Sequence, residues 1–229
     1  MATSGTNAFN PDQVNLIEEA CALAGFEART GYDLRSARFA LNMLLMEWGN
    51  RGINLWTLTE VSTPLVASTA TYTLPAACVD TFDVAIRTNA GTVATQADFK
   101  ISRISMPTYI SIPNKLSLGR PLQYVINRQI APTITLWPVP DATQTWTLFY
   151  YYLRRIQDAG ATASLTQDVP FRFYPALVAG LAYYMAMRKP ELLARVPMMK
   201  AYYDEQLLMA HDEDREKAPL RLVPSMGRV

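Results

Sequence analysis

Only a few side chains in this sequence are of types that carry out chemistry, and their spacing assembles no familiar site. His211 is the single histidine, and it lies beside Asp212 and Glu213 near the charged end of a predicted helix. A zinc ion needs three or four nitrogen and sulfur ligands close together, whereas this chain offers one histidine and two separated cysteines. We therefore predict that His211 is a solvated helix residue and that the chain holds no metal.

Nucleophilic and acid–base chemistry have equally little support. No glycine-rich loop lies between a predicted strand and a helix, so the sequence has neither a phosphate-binding loop nor a dinucleotide fingerprint. A serine nucleophile usually needs a base, and no nucleophile motif accompanies His211. Asp80 and Asp83 form a carboxylate pair of the kind that hydrolysis uses, but surface solvation is the simpler interpretation. We expect no enzymatic activity and no cofactor.

Aromatic residues cluster in two parts of the chain, and a sugar platform or a base-stacking surface is one interpretation of them. Their alternation along a strand and their helical spacing instead favour a core or a subunit interface. These residues are Tyr150, Tyr151, Tyr152, Phe171, Phe173, Tyr174, Tyr183 and Tyr184.

Charge and its distribution argue against nucleic-acid binding as the main function. The 21 basic and 20 acidic residues nearly balance, so the whole chain does not attract DNA, RNA or an anionic membrane. The arginines form no run, and we interpret them as ion-pair and interface residues. They are Arg51, Arg103, Arg120, Arg128, Arg154 and Arg155.

The cysteines and the hydropathy pattern bear on the compartment. Cys21 and Cys78 have small or apolar neighbours, which favours buried free thiols in a reducing compartment over a disulfide. Residues 1–10 lack the features of a secretory signal, so we expect a short disordered lead. The most apolar run, 173–187, is shorter than the ~20 residues of a spanning helix and contains Pro175. We predict a buried helix there and no membrane association.

Two amphipathic segments open the chain. Asn10 is the expected N-cap of the first helix, with Pro11 and Gln13 in its opening turn and Gly25 as its C-terminal cap. The inner stripe of this helix is predicted to be Val14, Ile17, Cys21 and Ala24. A second helix is predicted over 33–48, with an inner face of Leu34, Ala37, Leu41, Leu44, Leu45 and Trp48. Because the join is short, we expect an antiparallel hairpin.

The helical period returns after Gly160. Asp168 is a candidate cap for a helix that reaches Met187, and small residues in that helix permit close contact with a neighbour. Pro190 opens the last predicted helix, and Pro197 should kink it or split it into two.

The middle of the chain has the pattern of short strands. Residues rich in threonine, valine and aromatic side chains alternate with proline and glycine turns. Strands are predicted over 56–66, 71–74, 79–87, 99–101, 123–127, 133–137 and 146–154, with one helical turn over 105–110. The fold class is therefore α+β, a helical bundle with an inserted antiparallel β-sandwich or partly open barrel. We expect a helical subdomain at 1–54 and 160–217, a β-rich subdomain at 55–159 and an extended arm at 218–229.

Four segments together resemble the adaptor, or tail tubular protein A-like, subunits of short-tailed bacteriophages. These segments are LRSARFALNMLLMEWGNRGINLWTL at 34–58, TYTLP at 71–75, GRPLQYVINRQIAPTITLWPVPD at 119–141 and DVPFRFYPALVAGLAYYMAMRKPEL at 168–192. The resemblance implies a structural virion protein that combines a helical bundle with a β-sandwich. It also implies a ring of about twelve subunits under the portal, on which the tail nozzle is built and through which double-stranded DNA passes. No catalytic residues are carried over.

The resemblance also gives a role to the last residues of the chain. The segment 218–229 contains two prolines and a glycine, and it is too short to have a core of its own. It resembles a docking arm that becomes ordered against the portal or a neighbouring subunit. The predicted interface residues are Leu220, Arg221, Leu222, Val223, Met226 and Arg228. We accordingly expect the protein in the virion, at the head–tail interface, and in the host cytoplasm during assembly.

Three alternatives stay open at this point. A different head-completion or tail-tube component would also be a structural virion protein. A carbohydrate-binding module or cell-wall hydrolase is motivated by the predicted sandwich and by Trp137 and Trp146 as candidate exposed tryptophans. A host regulator that binds nucleic acid would need a concentrated basic face, which the spacing does not provide.

Overall fold

Helices lie at both ends of the chain and strands in its middle, which confirms the predicted α+β class. The computed structural model describes residues 3–7, 9–27, 30–52, 55–162 and 164–215. The chain divides into two compact units: Met1–Trp48 with Gln157–Val229, and Gly49–Ile156. The first is helical and the second contains all the strands of the described residues.

The helices are α1 (Gln13–Ala24), α2 (Gly31–Arg51), α3 (Met106–Ile110), α4 (Tyr174–Ala186) and α5 (Val196–Glu213). Short 3₁₀ turns cover Leu55–Thr57, Phe171–Phe173 and Pro190–Arg195. Pro197 lies in the first turn of α5, so the predicted last helix is split into a 3₁₀ turn and an α-helix. No helix among the described residues has the length and apolar character needed to cross a membrane.

The ends of α1 differ partly from the prediction. The N-cap is Asp12 instead of Asn10: its carboxylate accepts a hydrogen bond of 2.8 Å from the backbone N–H of Asn15, and a carboxylate is a strong acceptor at a helix N-terminus. Asn10 instead accepts a hydrogen bond from the Tyr174 hydroxyl. Gly25 ends the helix as predicted, with φ of 98° and its N–H directed at two carbonyls of the last turn.

A capping box starts α2 two residues before the predicted position. The backbone N–H of Asp33 donates to Thr30 Oγ1 (3.2 Å), and the backbone N–H of Thr30 donates to Asp33 Oδ2 (3.3 Å). The hydrogen bonds from Thr30 also lower the pKa of Asp33. Leu34, predicted to face inward, is exposed, because it lies in the first turn before the core contacts begin.

The helical core is built around α4. A Cβ atom at Gly180 would lie 2.9 Å from Leu44 Cδ1 and 2.8 Å from Tyr203 Cε2, so a glycine allows α2 and α5 to approach α4 closely. Across this contact, the Trp48 indole N–H donates to the Tyr203 hydroxyl at 2.8 Å. The close helical neighbour of α1 is α4. The main packing of α1 is therefore with α4 and not in the predicted hairpin with α2, because the small residues of α4 permit the closer approach.

The strands form two four-stranded sheets. They are β1 (Leu58–Pro64), β2 (Thr71–Thr73), β3 (Cys78–Thr88), β4 (Ala97–Lys100), β5 (Ser102–Arg103), β6 (Gln123–Asn127), β7 (Thr133–Trp137) and β8 (Trp146–Arg154). One sheet has the order β1-β8-β3-β4 and the other β2-β7-β6-β5. All pairs are antiparallel except β5–β6, which is parallel and differs from the predicted all-antiparallel arrangement.

The core of this unit comes from both sheets. Alternate residues of β3 and β8 meet alternate residues of β6 and β7, as expected for a sandwich. The buried side chains are Leu74, Val84, Ile86, Ile101, Tyr124, Ile126, Ile134, Leu136, Trp146, Leu148, Tyr150 and Tyr152. In β3 a bulge shifts the register between Phe82 and Ala85, and Asp83 within it has φ of 42°.

Candidate interaction surfaces

The sequence predicted a solvated His211. In the structure His211 is half-buried and packs against the helical core. Its ring lies edge-on to Phe173, with 5.6 Å between the ring centroids and 83° between the planes. In the described part of the chain, no group of three or more histidine, cysteine, aspartate or glutamate side chains is arranged to hold a metal.

The carboxylates Asp80 and Asp83 are held in separate ion pairs. Asp80 contacts Arg103 at 2.9 Å and Arg128 at 3.6 Å, whereas Asp83 pairs with Lys100. Asp83 is largely exposed and Asp80 is not, so surface solvation describes only Asp83. Each carboxylate thus has its own cationic partner, as is typical of structural ion pairs.

Both cysteines are free thiols of low reactivity. Cys21 is buried in α1, and Cys78 lies half-buried at the start of β3. The pKa of each thiol is raised from 9.0 to about 11, and burial is the largest cause of this increase. Since the thiolate is the nucleophile, neither cysteine is activated near neutral pH.

The aromatic residues of β8 mostly belong to the sandwich core. Tyr150 and Tyr152 are buried, and burial raises the pKa of Tyr150 to about 12. Tyr151, on the opposite face of the strand, donates to Glu60 on β1 at 2.9 Å. These contacts agree with core packing and provide no row of exposed rings for a sugar or a base.

The two candidate tryptophans do not form a binding platform. Trp146 is 5% exposed, and its indole N–H donates to Asp141 at 2.9 Å, so it was wrongly considered exposed. Trp137 is half-buried and donates to the backbone carbonyl of Asn114 at 3.0 Å. The carbohydrate-binding hypothesis therefore loses the exposed tryptophans that were one of its two motivations, and the sandwich remains as the other.

The outer face of α2 carries an apolar row, which we call the α2 stripe: Tyr32, Phe39, Met43 and Met46. All four side chains are exposed, from 79% for Tyr32 to 41% for Met43. At 3.6 residues per turn they fall within about 60° of the helix circumference, opposite the buried Ala37, Leu41 and Leu44. The helix is therefore apolar on two sides, one buried and the other exposed among the described residues.

The outer face of α5 carries a second row, which we call the α5 stripe: Met198, Tyr202 and Met209. These residues are 58%, 41% and 55% exposed. Glu205 lies exposed between Tyr202 and Met209 on the same side. The buried side of α5 consists of Met199, Tyr203, Leu207 and Ala210.

An open groove of about 710 Å³ adjoins the α2 stripe. The guanidinium of Arg188 donates to the carbonyl oxygen of Ser36 (2.7 Å) and lies 5.7 Å from the centroid of the Phe39 ring. Lys189 lies 3.6 Å from Asp33. Arg188 thus contacts the aromatic end of the α2 stripe and adds a positive charge beside it, whereas the charge of Lys189 is offset by Asp33.

The strand-rich unit has exposed apolar residues of its own. They lie in α3 and in the loop that leads to β6, and they are Ile110, Leu116, Leu118 and Leu122. Arg120, in the same loop, stacks over Phe99 at 4.4 Å. Each unit thus exposes apolar surface of the kind that protein partners cover.

The predicted docking arm, with Leu220, Arg221, Leu222, Val223, Met226 and Arg228, lies outside the described residues. The surfaces on α2 and α5 were not predicted from the sequence. Their signal was present in the second apolar row on each helix, at spacings of three and four residues.

Comparison with known families decides the classification. The family model described as SU10 adaptor protein matches residues 16–223, which is most of the chain. The chain belongs to the SU10 adaptor protein family. This confirms the resemblance to phage head-to-tail adaptors and places the chain among structural adaptor proteins of phages. The match spans both the helices and the strands described above. No curated protein matches the chain.

Proposed function

We propose that this SU10 adaptor family member is the subunit of a head-to-tail adaptor ring, which joins the portal to the tail nozzle. About twelve copies form the ring, and double-stranded DNA passes through its lumen without sequence-specific contacts. The protein acts in the virion at the head–tail interface, after assembly in the host cytoplasm.

The observation that carries the proposal is the match of the adaptor family to residues 16–223. The exposed apolar rows on α2 and α5 and the exposed residues after α3 support it, because a ring subunit must contact two neighbouring copies and two other proteins. The net charge of +1 is compatible with a channel wall, since a strongly basic lumen would retain DNA by its phosphates.

In this proposal the segment 218–229 is the portal-docking arm. Leu220, Leu222, Val223 and Met226 would be buried against the partner, while Arg221 and Arg228 would form ion pairs at the edge of the contact. A chain that ends after Lys217 is expected to stay folded and to lose portal binding. Normal assembly of the truncated protein onto portal rings would refute the docking role.

The decisive test is the mass of the purified protein with and without portal rings, by light scattering, together with negative-stain imaging. We expect a monomer that becomes a ring of about twelve copies only on the portal. A small oligomer that ignores the portal would contradict the proposal. Rings that bind the tail tube but not the portal would instead identify another tail component.

A further inference from the structure

The sheet β1-β8-β3-β4 ends on both sides in a strand with an open edge. Among the described residues, β1 and β4 each pair with one strand only. A strand at the edge of a sheet directs every second residue's backbone N–H and carbonyl outward, where a strand of another chain can pair with them. The other sheet is less suited to such pairing, because its edge strands β2 and β5 have only three and two residues.

The hydrogen bonds of β1 show which of its residues face outward. The backbone N–H of Leu65, directly after β1, donates to the carbonyl of Trp146 on β8 at 2.9 Å. In an antiparallel ladder, residues alternate between facing the neighbouring strand and facing away from it. Leu58, Glu60 and Ser62 therefore direct their backbone groups away from β8, along the open edge.

The same alternation applies to β4 at the other edge. The backbone N–H of Ile101, directly after β4, donates to the carbonyl of Val84 on β3 at 3.0 Å. Asp98 and Lys100 therefore direct their backbone groups away from β3. Each edge thus offers backbone donors and acceptors at every second residue.

The two edges also match in direction. All three strand pairs of this sheet are antiparallel, so β1 and β3 run one way and β8 and β4 run the other. When two copies lie side by side in the same orientation, β4 of one copy meets β1 of the next antiparallel. Because β1 and β4 lie at opposite edges of one sheet, this contact joins copies head to tail, and a head-to-tail contact that closes forms a ring.

We infer that β4 of one subunit pairs antiparallel with β1 of the next subunit, so that this sheet continues from copy to copy around the ring. The inference rests on the proposed adaptor function and identifies surfaces by which the copies meet. In the assigned register Lys100 lies opposite Glu60 and Asp98 lies opposite Ser62, with two backbone hydrogen bonds in each pair. The contact is short, so it holds only together with other ring contacts.

The neighbouring registers are less favourable. A shift by two residues in one direction puts Asp98 opposite Pro64, which has no N–H to donate. A shift by two in the other direction puts Asp98 opposite Glu60, and like charges in that position destabilise a sheet. Lys100 pairs with Asp83 in its own subunit, but its side chain is 75% exposed and its ammonium has three donors, so Glu60 can share it.

An apolar pair lies between the two polar pairs. In the assigned register Phe99 lies opposite Val61 of the next copy. Phe99 pairs with the buried Ile86 in its own sheet and is 38% exposed, whereas Val61 pairs with the buried Tyr150 and packs at the rim of the core. Pairs of an aromatic and a β-branched side chain stabilise adjacent strands. The pairing therefore covers apolar surface as well as backbone groups.

Disulfide cross-linking on portal-bound rings tests the pairing. Ala97 and Thr63 of the next copy are opposite each other in the assigned register, with the Cα separation of about 4.5 Å that suits a disulfide. A chain with both Ala97→Cys and Thr63→Cys should therefore give a ladder of covalent multimers up to the whole ring. Within one chain these positions are three strand spacings apart, about 14 Å, too far to join. All chains carry Cys78→Ala, and the remaining Cys21 is buried.

The control variants separate the inference from its alternatives. Thr63→Cys alone and Ala97→Cys alone should give no cross-link, and dimers of either one overturn the head-to-tail pairing. Ala97→Cys combined with Val61→Cys reports the register in which Asp98 faces Glu60, and a ladder from this variant instead overturns the assigned register. Rings without any cross-link overturn the pairing and leave the adaptor function standing. If wild-type chains form no ring on the portal, the adaptor function fails and the inference fails with it.

A proline in β1 provides the second test. Ser62→Pro removes one outward N–H and leaves the hydrogen bonds between β1 and β8 in place. Added to the chain with both cysteines, it should lower the yield of multimers roughly fivefold, whereas Ser62→Ala keeps the N–H and should leave the yield unchanged. Far-ultraviolet circular dichroism of the free chains checks that both variants fold. Equal multimer yields from the two folded variants overturn the pairing through the edge of β1.

Discussion

The hydrogen bond between Trp48 and Tyr203 should contribute measurably to the stability of the helical unit. The indole N–H donates to the hydroxyl at 2.8 Å, and both side chains are 1% exposed. Tyr203→Phe keeps the ring that packs on Gly180 and removes the hydroxyl, which accepts from Trp48 and also donates a long hydrogen bond of 3.5 Å to Glu47. Because a buried donor loses its partner in the folded state but regains water in the unfolded state, we expect a loss of about 1–3 kcal/mol in unfolding free energy.

Urea denaturation at 25 °C, followed by far-ultraviolet circular dichroism, measures this loss. With a slope of about 1–3 kcal/mol per molar urea, the midpoint of the helical transition should fall by roughly 1 M. Tyr202→Phe is the matched control: Tyr202 is the preceding residue of α5 and is 41% exposed. This control should stay within about 0.5 kcal/mol of the wild type.

A double-mutant cycle decides whether the effect belongs to the pair. Trp48→Phe removes the donor. Residues in contact have coupling free energies of roughly 0.5–3 kcal/mol, so the two substitutions should be coupled by at least about 0.5 kcal/mol. The reasoning is refuted if Tyr203→Phe unfolds with the same midpoint as Tyr202→Phe, or if the two substitutions are additive.

Three further predictions concern other buried or paired groups. Neither amide atom of the buried Gln13 has a hydrogen-bond partner in the part of the chain that the structure describes, so Gln13→Leu should raise the unfolding free energy by about 1–2 kcal/mol in the same urea assay; the exposed Asn15→Leu is its control, and a loss of stability in Gln13→Leu would contradict the reasoning. Burial raises the pKa of Cys21 to about 11, so above pH 9 the unfolded chain loses this proton while the folded chain keeps it, and stability falls as pH rises from 9 to 11. Cys21→Ala should show a shallower fall in urea midpoint over that range, and an equal slope would exclude the thiol as the cause. Arg87 donates two hydrogen bonds of 2.8 Å to Asp98 and lowers the pKa of that carboxyl. Asp98→Asn should therefore lower the unfolding free energy by about 0.5 kcal/mol at pH 7. This difference from the wild type should vanish as the pH falls below the range in which Asp98 ionises.

Several elements were predictable because their signals are local. The strands β6, β7 and β8 have the predicted bounds, since alternating apolar residues end at proline and glycine turns. The split at Pro197 and the cap at Gly25 follow from backbone chemistry that needs no tertiary contact. The choice of Asp12 over Asn10 as the N-cap was not predictable, because Asn10 pairs with a tyrosine far along the chain.

The candidate interaction surfaces were harder to predict from the sequence. The periodicity of α2 shows apolar residues on more than one side, but it does not say which side is covered. Phe39 and Leu41 are both large and apolar, yet Phe39 is 62% exposed and Leu41 is fully buried. The difference depends on where α4 lies.

The sequence by itself determined the order of helices and strands, the α+β class and the resemblance to the adaptor family, because these depend on residue types and spacing along the chain. Only the tertiary structure decided which apolar faces are buried, that β5 pairs in parallel with β6, and that Trp146 is inside the sandwich. These properties arise from contacts between residues far apart in sequence. A local pattern of residues does not determine which distant surface will cover it.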